Sequence, residues 1–236
     1  MSKKGTLVLV RHGESSFNKL NVFTGWLDVP LTADGIREGQ EVAEICKKFE
    51  FDSAFSSHLE RAHETLLIIL SCQRKLGIFE HGKNPWYSMV RTGPLAMNKK
   101  QLLPIYTNRA LNERAYGALQ GINKNEAEKM YGVEQVRDWR RGYEATPPKG
   151  ESLRDVHTRV MEYFTSSILP RLKRGQTILV VSHGNTMRAL IKHLDNISDE
   201  KIPLLDLPFA APLVYEYSDN IFTKTEGGYN YERGMR

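Results

Sequence analysis

Cysteine is nearly absent from the chain: 236 residues contain two, Cys46 and Cys72. Neither is part of a metal-ligand spacing or a disulfide framework, which fits a reducing compartment and makes the cytoplasm the expected location. No apolar run approaches the roughly 18 residues a bilayer span requires. The apolar stretch after the basic segment 1–4 meets Arg11 within about half a dozen residues, too few for a secretory signal core. Also missing are a Walker loop, a strand-borne Gly-X-Gly-X-X-Gly, a Gly-X-Ser-X-Gly elbow and a His-Glu-X-X-His helix. Nucleotide cradling by those loops, serine hydrolysis on that elbow and zinc chemistry on that helix are therefore unsupported. His58 and His63 have poor spacing for a shared metal, and no metal is expected. Charge of one sign is scarce too. The 33 basic and 28 acidic residues leave a net charge of +5, scattered along the chain. With no basic stripe or recognised motif, a nucleic-acid partner is not expected, although arginines converging on one pocket would suit a small polyanion.

What is present is a pair of matching units. The runs Leu7 to Val10 and Ile178 to Val181 are apolar and mostly β-branched, and each ends in a histidine and a glycine: Arg11-His12-Gly13 and Ser182-His183-Gly184. Such runs read as buried strands of a parallel sheet, and ligands of open α/β sheets collect beyond the strands' carboxyl ends. Further strands are expected at 51–56, 103–106 and 213–217. Helices are expected from Thr32 to about Phe49, from a capping box at Ser57-His58-Leu59-Glu60, over 123–131 and 133–141, from Ser152 to near Pro170, and over 185–194. Residues 11–31 read as a functional loop, 77–101 as irregular, and the segment after Ser218 as a tail able to move. Strands alternating with helices predict one α/β domain over 1–236, a mostly parallel central sheet flanked by helices, with a surface excursion near 71–108.

The chemistry follows from the neighbours of the histidines. Arg11 offers a planar fork of donors suited to phosphate, and Gly13 is expected to let a ligand approach the backbone. Asn18, Thr24 and the Gly25 amide add small donors on the same loop. A neutral imidazole in such company can attack phosphorus in line. His183 stands before Gly184, Asn185 and a helix N-terminus, where an anion is favoured, and reads as a charged donor to a phosphoryl oxygen. Arg61 falls in the first turn of its helix, where a surface ion pair is the ordinary explanation. Arg140 and Arg141 are adjacent on a helix, so one can reach a ligand while the other is solvated. Glu113 lies in a loop beyond a strand. A carboxyl group beside bound phosphate is pushed toward its protonated form by like charge and can act as acid and base.

Arg11-His12-Gly13-Glu14-Ser15, Asn18 and Phe23-Thr24-Gly25-Trp26 resemble the signature of the histidine phosphatase superfamily. Leu111-Asn112-Glu113-Arg114, Tyr116 to Gly121, Lys124, Trp139-Arg140-Arg141-Gly142, Thr146-Pro147-Pro148 and Ser182-His183-Gly184-Asn185 narrow the resemblance to the 2,3-bisphosphoglycerate-dependent phosphoglycerate mutases. The resemblance covers about residues 6 to 217. It implies interconversion of 3- and 2-phosphoglycerate in glycolysis and gluconeogenesis, with 2,3-bisphosphoglycerate as primer and intermediate and no metal. It also implies a cytoplasmic homo-oligomer, dimer or tetramer, without membrane attachment. His12 is then the phosphoacceptor and Glu113 the proton donor and acceptor. Arg11, Arg61, Asn18 and His183 hold the transferred group. Thr24, Gly25, Tyr116, Lys124, Arg140, Arg141, Gly184 and Asn185 bind the rest of the substrate. The chain departs from the pattern in its long 71–108 stretch and its short link between Pro148 and Ser152. Three alternatives stay open: a phosphatase that passes the phosphoryl group to water, a bisphosphoglycerate synthase, and a phosphate binder without catalysis.

Overall fold

A computed structural model describes residues 3–80 and 99–231. Its centre is a seven-stranded sheet formed by β1 (Gly5–Arg11), β2 (Ser53–Ser56), β3 (Leu76–Phe79), β4 (Leu102–Thr107), β5 (Thr177–Ser182), and, after the two-residue β6 (Leu205–Asp206), β7 (Pro212–Ser218) and β8 (Ile221–Glu226). The order is β3-β4-β2-β5-β1-β7-β8. The first five strands in that order are mutually parallel, whereas β7 is antiparallel to β1 and β8 is antiparallel to β7. A second, small ladder joins β6 to β9 (Asn230–Tyr231).

Alternation within the central strands divides the core. Leu7, Leu9, Ile178 and Val180 pack with the helices Leu153–Tyr163 and Gly184–Leu194 on one face. Val8, Val10, Leu179 and Val181 pack with Ala33–Cys46 and Glu60–Ser71 on the other. Both faces being covered is why these strands read as continuous apolar runs rather than as alternating ones. Helix starts follow local chemistry. Thr32 accepts from the Gly35 amide, and Ser152 forms a reciprocal box with Asp155.

Several expectations are corrected. The box expected at Ser57 does not form: the cap position is Leu59, which has no capping side chain, and the carboxylate of Asp28 accepts from the Glu60 amide instead. The 11–31 loop contains a helical turn, Ser16–Lys19, boxed by Ser15 and Asn18. The helix expected to reach Phe49 ends at Cys46. Within the stretch expected to be irregular, β3 and a turn at Lys99–Gln101 are regular, and residues 81–98, with Trp86, Tyr87 and Arg91, lie outside the described residues. The segment after Ser218 is not simply a tail. Asp219 and Asn220, both left-handed, turn the chain into β8, since short polar side chains tolerate that backbone region. Among the described residues no helix is long and apolar enough to cross a membrane.

Candidate active site

The parallel register brings the two histidine units side by side. Arg11 of β1 pairs with Ser182 of β5, and the His12 amide donates to the Ser182 carbonyl at 2.9 Å. The His12 and His183 rings then stand 4.9 Å apart, edge to face. The carboxyl ends of β2 and β4 add Ser57 and the loop leading to Glu113. One cavity collects Arg11, His12, Asn18, Thr24, Gly25, Arg61, Glu113, Tyr116, Lys124, Arg140, Arg141, Gly184 and Asn185. Gly13 and His183 of the two histidine units do not line this cavity directly; His183 lies behind His12, fully buried.

His12 is prepared as a nucleophile. Its Nδ1 lies 2.6 Å from the Gly13 carbonyl, which can only accept, so Nδ1 carries the proton and Nε2 keeps its lone pair. Burial above all, then the Arg61 and Arg11 guanidinium groups, holds its pKa well below the usual imidazole value. The same causes, again led by burial and joined by His12 and Arg159, push His183 down. His183 is thus held toward its neutral form in the free protein, where the sequence suggested a charged donor, because it is fully buried and the neighbouring arginines disfavour a further positive charge. Gly13, expected to admit a ligand to the backbone, is in addition required by packing. Its close neighbour is the backbone of Gly35, and a Cβ on Gly13 would lie 2.4 Å from the Gly35 oxygen.

The oxygen and nitrogen atoms around His12 are individually oriented. Asn18 accepts from the Ser15 amide and hydroxyl through Oδ1, leaving its Nδ2 as the donor. Arg61 is buried, not part of a surface ion pair. It donates to the carbonyls of Gly25 (2.8 Å) and Leu27 (3.0 Å), and burial brings its pKa down to about 10. Arg11 donates to Leu207 O and stacks on Phe209, with its guanidinium carbon 3.8 Å from the ring centroid. Its Nε and the Nδ1 of His183 are buried atoms without a protein partner. Two such orphans beside one nucleophile fit a tetrahedral anion that would satisfy them.

Glu113 is held by both ends. Its Oε1 accepts from the amides of Arg114 (2.7 Å) and Asn185 (3.2 Å). Its carbonyl accepts from Trp26 Nε1 and Arg159, and Arg159 also grips the carbonyls of Ala110 and Asn112 while paired with Glu151. Asn185 donates through Nδ2 to the Tyr116 hydroxyl at 3.1 Å. Arg140 and Arg141 both reach the cavity, because the Val133–Arg141 helix ends there and frees its last turn. Lys124, at the first position of the Lys124–Tyr131 helix, is pushed down to about 8 by burial and by Arg140, Arg11 and Arg141.

Sequence reasoning missed Arg188, Asp206 and Ser57. Arg188 donates to Asn185 Oδ1 and to Leu205 O, the carbonyl that Arg141 also uses, and it lines the cavity. Its spacing from Asn185 on one helix places both on the same face, a signal available in the sequence. Asp206, 3.6 Å from Arg141, comes from the two-residue strand β6, too short to carry such a signal. Gly25 has φ +53°, and a Cβ there would lie 2.2 Å from Gln120 Oε1, which accepts from the Trp26 and Tyr116 amides. Left-handed backbone costs a non-glycine residue about 1–2 kcal/mol, so Gly25→Ala is expected to raise KM for the phosphorylated substrate roughly tenfold. Steady-state kinetics on the purified variant check this.

The sequence profile of the Histidine phosphatase superfamily (branch 1) matches residues 7–79 and 90–226. The 2,3-bisphosphoglycerate-dependent phosphoglycerate mutase of Chlamydia muridarum is 39% identical over 221 residues, covering 93% of this chain and 96% of that protein. The protein of the same name from Methanosarcina acetivorans is 41% identical over 226 residues, covering 90% and 91%. In structure, the alpha-ribazole phosphatase from Shigella flexneri superimposes with a TM-score of 0.71 at 24% identity, covering 93% of this chain and 94% of that one. The structural likeness shows a shared fold.

Proposed function

The chain belongs to the histidine phosphatase superfamily and, within it, to the 2,3-bisphosphoglycerate-dependent phosphoglycerate mutases, and on that premise we propose how its own residues interconvert 3- and 2-phosphoglycerate, a step of glycolysis and gluconeogenesis. His12 Nε2 attacks phosphorus in line and becomes phosphorylated, its other nitrogen remaining anchored on the Gly13 carbonyl. Arg11, Asn18, Arg61 and His183 hold the phosphoryl oxygens as charge develops on them. Glu113 takes the proton of the attacking hydroxyl and returns one to the departing oxygen. Thr24, Gly25, Tyr116, Lys124, Arg140, Arg141, Gly184 and Asn185 bind the carboxylate and the second phosphate. When bound, 2,3-bisphosphoglycerate supplies the phosphoryl group that primes His12. The unpartnered Arg11 Nε and the cluster of cations support its fit to this cavity.

The observation that carries the mutase reading is the presence, in one cavity, of a neutral histidine nucleophile and a second set of cations, Lys124, Arg140 and Arg141. A phosphatase needs only the first. A substrate that returns its phosphoryl group to a different hydroxyl needs both, because it must stay bound while it turns. Incubation with 3-phosphoglycerate and a trace of 2,3-bisphosphoglycerate, following 2-phosphoglycerate and free phosphate separately, is expected to give the isomer with little phosphate. Phosphate without isomer would refute the reading in favour of hydrolysis.

Lys124 makes binding depend on pH. Its charge is present below about 8 and lost above it, so KM is expected to rise severalfold as pH passes upward through that value. The break should vanish in Lys124→Met, which KM profiles of both proteins would reveal. We further propose a homo-oligomer, dimer or tetramer, testable by sedimentation, and a cytoplasmic site of action, in line with two free thiols.

A further inference from the structure

We infer that Ser57 fixes the tautomer of His183, so that a neutral imidazole offers an Nδ1–H donor to the phosphoryl group that His12 carries; this rests on the phosphoryl-transfer reading above. Ser57 follows β2, is fully buried, and has its backbone pinned: its carbonyl accepts from His63 Nε2 at 2.6 Å, and the neighbouring His58 amide donates to Asn112. Its Oγ has two partners. The Leu59 amide donates to it at 3.1 Å, and His183 Nε2 lies 2.8 Å away. An amide cannot receive the hydroxyl proton, so the imidazole nitrogen does.

The rest follows by counting protons. A neutral imidazole has one N–H, and an Nε2 that accepts from Ser57 leaves that hydrogen on Nδ1. Nδ1 is the buried ring atom without a protein partner, and the ring lies edge to face against His12. The opposite tautomer fails twice. It would leave the buried serine proton without a protein acceptor, and it would turn a lone pair toward anionic oxygens. Burial and the surrounding cations keep the ring neutral. The arrangement therefore gives a donor without adding a further full positive charge beside Arg11 and Arg61. Ser57 touches no substrate in this scheme; it is a positioning residue acting through His183.

The test is nitrogen NMR of histidine-labelled protein in its free form, with His183 assigned by comparison with a His183→Gln sample. The wild type is expected to show a pyrrole-type Nδ1 and a pyridine-type Nε2 at His183; the reverse pattern overturns the inference. Ser57→Ala is expected to lose that pattern and to lower kcat roughly ten- to a hundredfold with KM unchanged, and Ser57→Thr, which restores the hydroxyl, to recover both. An alanine variant that keeps the wild-type pattern and rate also overturns it. Should the alanine variant not fold, the wild-type spectrum decides alone. Because that spectrum needs no substrate, it tests the tautomer separately from the mutase assay, and failure of one is distinguishable from failure of the other.

Discussion

Replacing His12 with alanine is expected to abolish the phosphoryl-enzyme and to lower mutase turnover by roughly 10⁴-fold or more, since a covalent route is lost with its nucleophile. Among the described residues no second imidazole lines the cavity to take its place. His183 is tied through Nε2 to Ser57, its ring is fully buried, and it does not line the cavity. Glu113 has one oxygen committed to two backbone amides. The arginines hold no lone pair for attack. After exposure to phosphate-labelled 2,3-bisphosphoglycerate, denatured wild-type protein should retain label that acid removes and alkali does not, as a phosphohistidine requires. The variant should retain none. Its stability should change little beyond the contacts of one imidazole, because Gly13 and Gly35 hold the local backbone by their own close approach. Wild-type turnover in His12→Ala would sink the covalent mechanism outright.

Much of this centre is legible in the sequence because the sheet itself is written plainly. β1 and β5 are buried on both faces, so their apolar runs stand out, and each ends on its histidine. The caps at Thr32 and Ser152 are legible for a similar reason: a helix start needs an oxygen close in sequence. What is not legible depends on partners distant in the chain. Ser57 looks like a cap, yet Asp28 caps that helix and frees the serine hydroxyl for a histidine far along the sequence. Arg61 looks like a surface residue until the 25–27 loop closes over it. The charge state of His183 escapes the sequence because proximity to a helix N-terminus is visible there and complete burial is not. β3 and β8 are short edge strands with exposed side chains, so neither carries the apolar pattern that marks the centre.

Glu113→Gln is the second substitution with a large expected effect, and it separates proton transfer from phosphoryl transfer. The replacement is nearly isosteric. A glutamine Oε1 can still accept from the Arg114 and Asn185 amides, and the backbone grip of Trp26 and Arg159 is independent of the side chain. Geometry should therefore survive, and KM with it. What is lost is a group able to take a proton from the substrate hydroxyl and give one back, worth typically 10²–10⁴-fold in rate. The expected result is a kcat lowered by about 10³-fold at unchanged KM, since the interaction exists only on the way to the transition state. Retention of label on His12 adds a second reading. Loading from a bisphosphorylated donor should slow, because the departing alkoxide no longer receives its proton, but the loaded enzyme should persist longer once formed. A rise in KM without loss of kcat would instead make Glu113 a substrate-binding residue, and the proton would have to pass through another group of the cavity, for which Tyr116, hydrogen-bonded to Asn185, stands nearest in chemistry.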